Sequence, residues 1–126
     1  APLWEQREGL RELLNASNLD SFTKCLERLP QEFSQAKETF LHGSPNSRRV
    51  IFAELSRKPR PNKREAFLLE WQLATNLAAH PAFSEGIRAL LIDKDRKPNW
   101  AQDFREPEDF FRMPLGFAAN PLSALL

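Results

Sequence analysis

The sequence predicts an all-α fold of five to six short helices with an irregular C-terminal tail. Apolar residues recur at helical spacing along most of the 126-residue chain. Strand signals are weak: β-branched residues are few, tyrosine is absent, and no Asn-Gly or Asp-Gly hairpin dipeptide occurs. Capping residues and prolines divide the periodic stretches at regular intervals.

Leu3 to Leu14 is a short amphipathic stretch rich in Glu, Arg and Leu. Asn18 is placed to cap a second helix, in which Leu19, Phe22, Leu26 and Leu29 share a face and Pro30 ends the run. A third helix is predicted from about Gln31 to His42, with Phe33, Ala36 and Phe40 inward and Gly43 as its stop. Ser44-Pro45 supplies a capping hydroxyl followed by proline at the first helical position. The helix it starts carries Ile51, Phe52 and Leu55 on one side and ends before Pro59 and Pro61. Lys63 to Ala79 is the longest predicted helix. His80-Pro81 turns the chain into a last clear helix, where Phe83, Ile87, Leu90 and Leu91 fall at i, i+4, i+7 and i+8. After Trp100 no period persists; one helical turn is expected around Glu106 to Phe111. By size the 126 residues form one helical domain: leading helices over 1–43, a helical block over 44–100 and the tail over 101–126.

Composition narrows the function. Hydrophobic residues make up 41% and charged residues 28%, ordinary for a globular chain. A net charge of +1 gives no electrostatic case for nucleic acid or an anionic membrane as partner. The cations of Arg57 to Arg64 (RKPRPNKR) have no interleaved aromatic to stack a base, so a solvated interhelical loop is expected there. No apolar run reaches the length of a membrane span, and charge comes too early for a signal peptide. Cys25 is the only cysteine, which excludes an internal disulfide and fits a reducing compartment. It lies on an apolar helix face with no histidine near it in sequence and reads as a small core residue. His42 and His80 sit at helix ends without partners at metal-ligand spacing, so no metal site is predicted.

The segment Glu85 to Trp100, EGIRALLIDKDRKPNW, ends a helix abruptly and passes into a basic loop stiffened by Pro98. It resembles a segment of the form EGxRAxLxxKxxxPxW near the C-terminus of enoyl-CoA hydratase/isomerase (crotonase-like) enzymes. Its LIDKD version is most similar to the 3-hydroxyisobutyryl-CoA hydrolase branch. GSPNSRRVIFAEL (Gly43 to Leu55) resembles the family's capped helix beside the catalytic domain. Glu65 to Trp100 looks like its long and closing helices, and NLDSFTKCLERL and LGFAANPLSALL are similar to flanking parts. The resemblance implies the C-terminal helical segment of an acyl-CoA thioester hydrolase of valine breakdown, cytoplasmic in a bacterium or in the mitochondrial matrix of a eukaryote. The implied partners are a catalytic crotonase-like core, on the same parent chain or a separate one, and an acyl-CoA; a homo-oligomer is also possible. No separate cofactor is implied, since coenzyme A belongs to the substrate. Catalysis in this family needs an oxyanion hole of backbone N–H groups and positioned carboxylates, both supplied by a core that precedes the matched region. No catalytic residue is therefore carried onto this sequence, and the chain alone is expected to be inactive. A free-standing helical interaction or structural subunit derived from such an enzyme is the alternative.

Lys94, Arg96, Lys97 and Trp100 are the candidates for coenzyme A contact, because phosphates attract cations and adenine stacks on an indole. The competing reading is a solvated helix stop with Trp100 packed in the core. Glu70 is the most oddly placed charge. On a helical wheel it falls among Ala66, Phe67, Trp71, Ala74 and Leu77, while Glu65, Gln72, Thr75 and Asn76 occupy the polar arc. A carboxylate inside an apolar arc requires a partner, and an ion pair with Arg88, or with Arg48 or Arg49, is expected.

Overall fold

The computed structural model describes residues 3–101 and 105–126. Among the described residues there is no strand, and seven α-helices carry the fold: α1 (Arg7–Leu14), α2 (Leu19–Arg28), α3 (Ser34–His42), α4 (Pro45–Ser56), α5 (Lys63–Ala78), α6 (Pro81–Ile87) and α7 (Pro107–Phe110). The all-α expectation holds, with one short helix more than expected. The chain divides into two compact units, Ala1–Gly43 and Ser44–Leu126.

In the first unit a 3-10 turn, Leu3–Gln6, leads into α1, and another, Gln31–Phe33, leads into α3. The Asn18 side chain accepts the Ser21 N–H at 2.8 Å, the cap that its position in the sequence implies. Leu26 and Leu29 are buried. Gly9 belongs to that packing, since a Cβ there would stand 3.1 Å from the Leu29 methyl. The Phe22 and Phe40 rings meet at 5.4 Å. Lys37 donates to the carbonyls of Glu27, at 3.0 Å, and Leu29, satisfying the open C-terminal end of α2. Cys25 is a half-buried free thiol, with Arg28 Nη2 3.8 Å from its sulfur.

Gly43 ends α3 with φ at −66°, so its left-handed freedom is not used. Ser44-Pro45 makes the break: the Ser44 hydroxyl accepts from the Ser47 N–H and Pro45 opens α4. At the start of α5, Asn62 accepts the Glu65 N–H at 2.9 Å while Glu65 accepts the Asn62 N–H at 2.8 Å, a reciprocal capping box.

The second unit is built on Val50, Leu73, Phe110 and Phe111, with Ala53, Leu69 and Leu77 against them. The buried side of α5 is therefore Leu69, Leu73 and Leu77, at i, i+4 and i+8. Of the arc drawn from sequence, Phe67, Glu70 and Ala74 are exposed, Ala66 and Trp71 are half-buried, and Leu77 meets the core. Of the apolar residues along α5, the stripe Leu69, Leu73 and Leu77 meets the core.

The tail has few regular elements but is held by specific contacts. Asn76 donates to the carbonyls of Phe110 and Arg112, each at 2.9 Å. Asn120 donates to the Leu68 carbonyl at 2.9 Å, and the Trp71 and Phe117 rings meet edge to face at 5.0 Å. Arg57 stacks 3.8 Å above the Phe111 ring and pairs with Glu108 at 2.7 Å, so the basic loop begins with a cation committed to the core.

His80 caps α6 and is buried. Its Nδ1 accepts the Ala82 N–H at 3.2 Å, and its Nε2 faces the Asn46 carboxamide at 3.3 Å. Phe110 packs beside the imidazole at 5.7 Å. This buried pair fixes the start of α6 relative to α4.

Candidate functional site

Helix α6 continues for one π-helical turn, Arg88–Ile92. The wider turn is closed by the Asp93 N–H, which donates to the Arg88 carbonyl at 2.8 Å. The chain then folds back, and the Arg96 N–H reaches the Ala89 carbonyl at 3.0 Å. Lys94 and Arg96 lie in the left-handed region, with φ of 57° and 54°, a conformation that side chains with a Cβ adopt at a cost.

Arg88 holds this reversal. Its guanidinium donates to both Glu85 oxygens, at 2.7 and 2.9 Å, to Asp95 at 2.9 Å, to Asp93, and to the Lys97 carbonyl at 3.1 Å. Glu85 also accepts the Asn99 N–H at 2.6 Å, and Asp95 accepts the Lys97 N–H at 2.8 Å. Three carboxylates and one guanidinium thus pin both ends of the loop. Arg88, then the Asn99 N–H, lower the Glu85 carboxyl to about 2. Asp95 is also lowered, first by the Lys97 N–H and then by Arg88. Glu85 takes part at the i,i+3 spacing that the sequence shows, but its second role, accepting the Asn99 N–H, has no local signature.

Trp100 lies against Gly86: a Cβ on Gly86 would stand 3.4 Å from the indole ring. The absent side chain lets the end of the loop close onto α6. The side chains of Lys94, Arg96 and Lys97 are exposed on the reversed loop. The structure thus brings together three cations and an indole on one short loop.

The helix preceding them is apolar on a face that its own chain leaves open. Phe83 is 52% exposed, Leu90 59%, Leu91 62% and Ile92 69%. The spacing of Phe83, Leu90 and Leu91 marks a helix face, and among the described residues all three stay more than half exposed. Ala89, at 2% exposure, is the buried residue of the turn.

The Glu70–Arg88 ion pair does not form. Arg88 is occupied by Glu85, Asp93 and Asp95, and Glu70 is exposed. Arg49 instead pairs with Glu106 at 3.7 Å. The neighbour of Glu70 is Glu54 on α4, whose carboxyl is raised by burial, then by its hydrogen bond to Glu70 and by the Glu70 charge. The wheel misplaced Glu70 because it could not say which of the apolar residues of α5 meet the core.

Among the described residues no group of three or more His, Cys, Asp or Glu is arranged to hold a metal ion. No helix among them is long and apolar enough to cross a membrane.

The family model described as enoyl-CoA hydratase/isomerase matches residues 1–108. The chain belongs to the enoyl-CoA hydratase/isomerase family. Within that family it is similar to 3-hydroxyisobutyryl-CoA hydrolase, mitochondrial, of Danio rerio, 31% identical over 99 residues that cover 78% of this chain and 26% of the relative. The Bos taurus protein of the same name is 33% identical over 109 residues, 85% of this chain and 28% of the relative. The chain therefore spans about a quarter of the length of these curated relatives. No solved structure matches it. In this enoyl-CoA hydratase/isomerase chain the matched region takes in the whole Arg88 latch and the basic loop.

Proposed function

We propose that this chain is the C-terminal helical segment of a 3-hydroxyisobutyryl-CoA hydrolase-like enzyme, that it covers the active site of a catalytic core, and that it lacks that core's reacting groups. The observation that carries this reading is the open apolar face of Phe83, Leu90, Leu91 and Ile92. An apolar face of this kind, continuous with a fixed cationic loop, suits a docking surface with an anion-binding margin. The relatives supply the occupant: about three quarters of their length lies outside the matched region.

In this arrangement Leu90, Leu91 and Ile92 rest on the core. Lys94, Arg96 and Lys97 face the phosphates of coenzyme A, and Trp100 closes the loop on Gly86. Arg88 does not meet the ligand; it is a positioning residue that holds Lys94 and Arg96 in their left-handed backbone. Coenzyme A enters as part of the acyl-CoA substrate. The mitochondrial relatives support a mitochondrial location if the source is eukaryotic.

Thiol release from 3-hydroxyisobutyryl-CoA tests the proposal. The chain alone is expected to release none. Joined to a catalytic core of the family it is expected to support hydrolysis, and Leu91→Asp to abolish that support. Turnover by the isolated chain, or full support from the Leu91→Asp variant, would overturn the reading.

A further inference from the structure

A second exposed face, on α5, carries a different pattern. Arg64 and Trp71 point toward the tail: Arg64 donates to the Ser123 carbonyl at 3.3 Å and Trp71 meets Phe117 at 5.0 Å, while Asn120 donates to the Leu68 backbone carbonyl at 2.9 Å. Leu69, Leu73 and Leu77 face the core. Between these two sides runs a stripe of Lys63, Phe67, Glu70 and Ala74, all four exposed. The spacings i, i+4, i+7 and i+11 place them in one line along the helix. Ile51 and Leu55 of α4, 53% and 57% exposed, extend the apolar surface beside it, joined through the Glu54–Glu70 contact.

The order of chemistry along this stripe is cation, aromatic, anion, small residue. Lys63 and Glu70 stand on either side of Phe67, one helical turn away in each direction. A two-fold axis near Phe67 would lay α5 of one molecule antiparallel to α5 of another. Lys63 of each copy would then meet Glu70 of the other, with the two Phe67 rings packed at the axis. Such a surface is self-complementary in the way an isologous interface requires.

Each charge is poorly served inside its own chain. Lys63 opens α5, where a cation opposes the helix dipole. The neighbour of Glu70 is another carboxyl group, Glu54, held above its ordinary range first by burial and then by Glu70. A lysine from a second copy relieves both situations at once.

We propose that the Lys63–Phe67–Glu70 stripe of α5 is a two-fold docking surface for a second copy of this chain. It is separate from the α6 face, so its test is independent of the assignment to a thioester hydrolase.

Sedimentation at rising protein concentration tests it. The wild-type mass is expected to climb from 14.5 kDa toward twice that value. Lys63→Glu and Glu70→Lys, each of which sets like charges against each other, are each expected to weaken self-association on the order of tenfold or more. Mixed in equal amounts, the two variants are expected to pair with each other, because both cross-contacts are again of opposite sign. Phe67→Ser is expected to abolish association, with unchanged circular dichroism showing that the helices remain. A wild-type chain that stays monomeric up to about 1 mM would overturn the proposal. So would charge swaps without effect, or a mixture that fails to recover the dimer.

Discussion

The Trp100 indole rests on Gly86, at a distance where a single added methyl would stand 3.4 Å from the ring. This contact closes the basic loop onto α6, and it sets a limit on what position 86 tolerates. Gly86→Ala is expected to fold within about 1 kcal/mol of the parent, since the helix propensity gained offsets the tight contact. Gly86→Leu is expected to displace Trp100, giving a red-shifted emission in a background with Trp4 and Trp71 replaced by Phe. An unshifted spectrum for the leucine variant would show that the indole does not depend on this contact.

The Arg88 latch predicts an acid response with a defined sign. The Glu85 carboxyl lies at about 2 in the folded chain, below its ordinary value, through Arg88 and the Asn99 N–H. A carboxylate lowered on folding contributes stability above its ordinary range, and that contribution is lost as pH falls through the folded value. The loop is therefore expected to hold at pH 5 and to open between about pH 4 and pH 2. The Asn99 amide resonance followed by NMR reads this, and Arg88→Ala should speed its hydrogen exchange on the order of tenfold at neutral pH.

The carboxyl pair of Glu54 and Glu70 predicts the opposite sign. Burial, and then Glu70, raise the Glu54 carboxyl above its ordinary value. A carboxyl raised on folding stabilises at low pH, and that stabilisation is lost as pH rises through the folded value. Glu54→Gln, which donates without titrating, is expected to raise the melting temperature at pH 7 and to leave it unchanged at pH 4. Thermal melts at the two pH values decide it.

Phe110 joins the core to the His80–Asn46 pair. Phe110→Ala should cost about 3–5 kcal/mol, because the side chain is fully buried between α4, α5 and the imidazole. Asn46→Ala should cost about 1–3 kcal/mol by leaving His80 Nε2 without its carboxamide. Urea unfolding at constant denaturant slope measures both.

Much of the helical layout is legible in the sequence because its signals are local. Asn18, Ser44-Pro45 and Pro30 act where they stand, and each boundary falls beside them. The Asn62–Glu65 box is also written locally, as an asparagine three residues before a glutamate. The π-helical turn is not, because it depends on Arg88 bonding to groups up to nine residues beyond it and on Glu85 reaching Asn99. Burial was the harder inference. Periodicity showed that Phe83, Leu90 and Leu91 share a face and that α5 has apolar sides, but period alone does not say what a face meets. Glu70 therefore lies on the exposed side of α5 and not in the buried arc that the helical wheel suggests. The same ambiguity leaves the α6 face looking like core in the sequence and lying open in the structure. The cations of the candidate site were legible as a basic loop; the left-handed backbone that displays two of them was not.

What covers Leu90, Leu91 and Ile92 decides whether this segment docks on a catalytic core. Hydroxyl-radical footprinting of these side chains, in the chain alone and in the presence of a catalytic core of the family, measures this directly. Heavy labelling of all three is expected in the isolated chain and strong protection once the core is present, with Lys58 and Arg60 unchanged. Equal labelling of Leu90, Leu91 and Ile92 in both states, under conditions where the core binds, would contradict it.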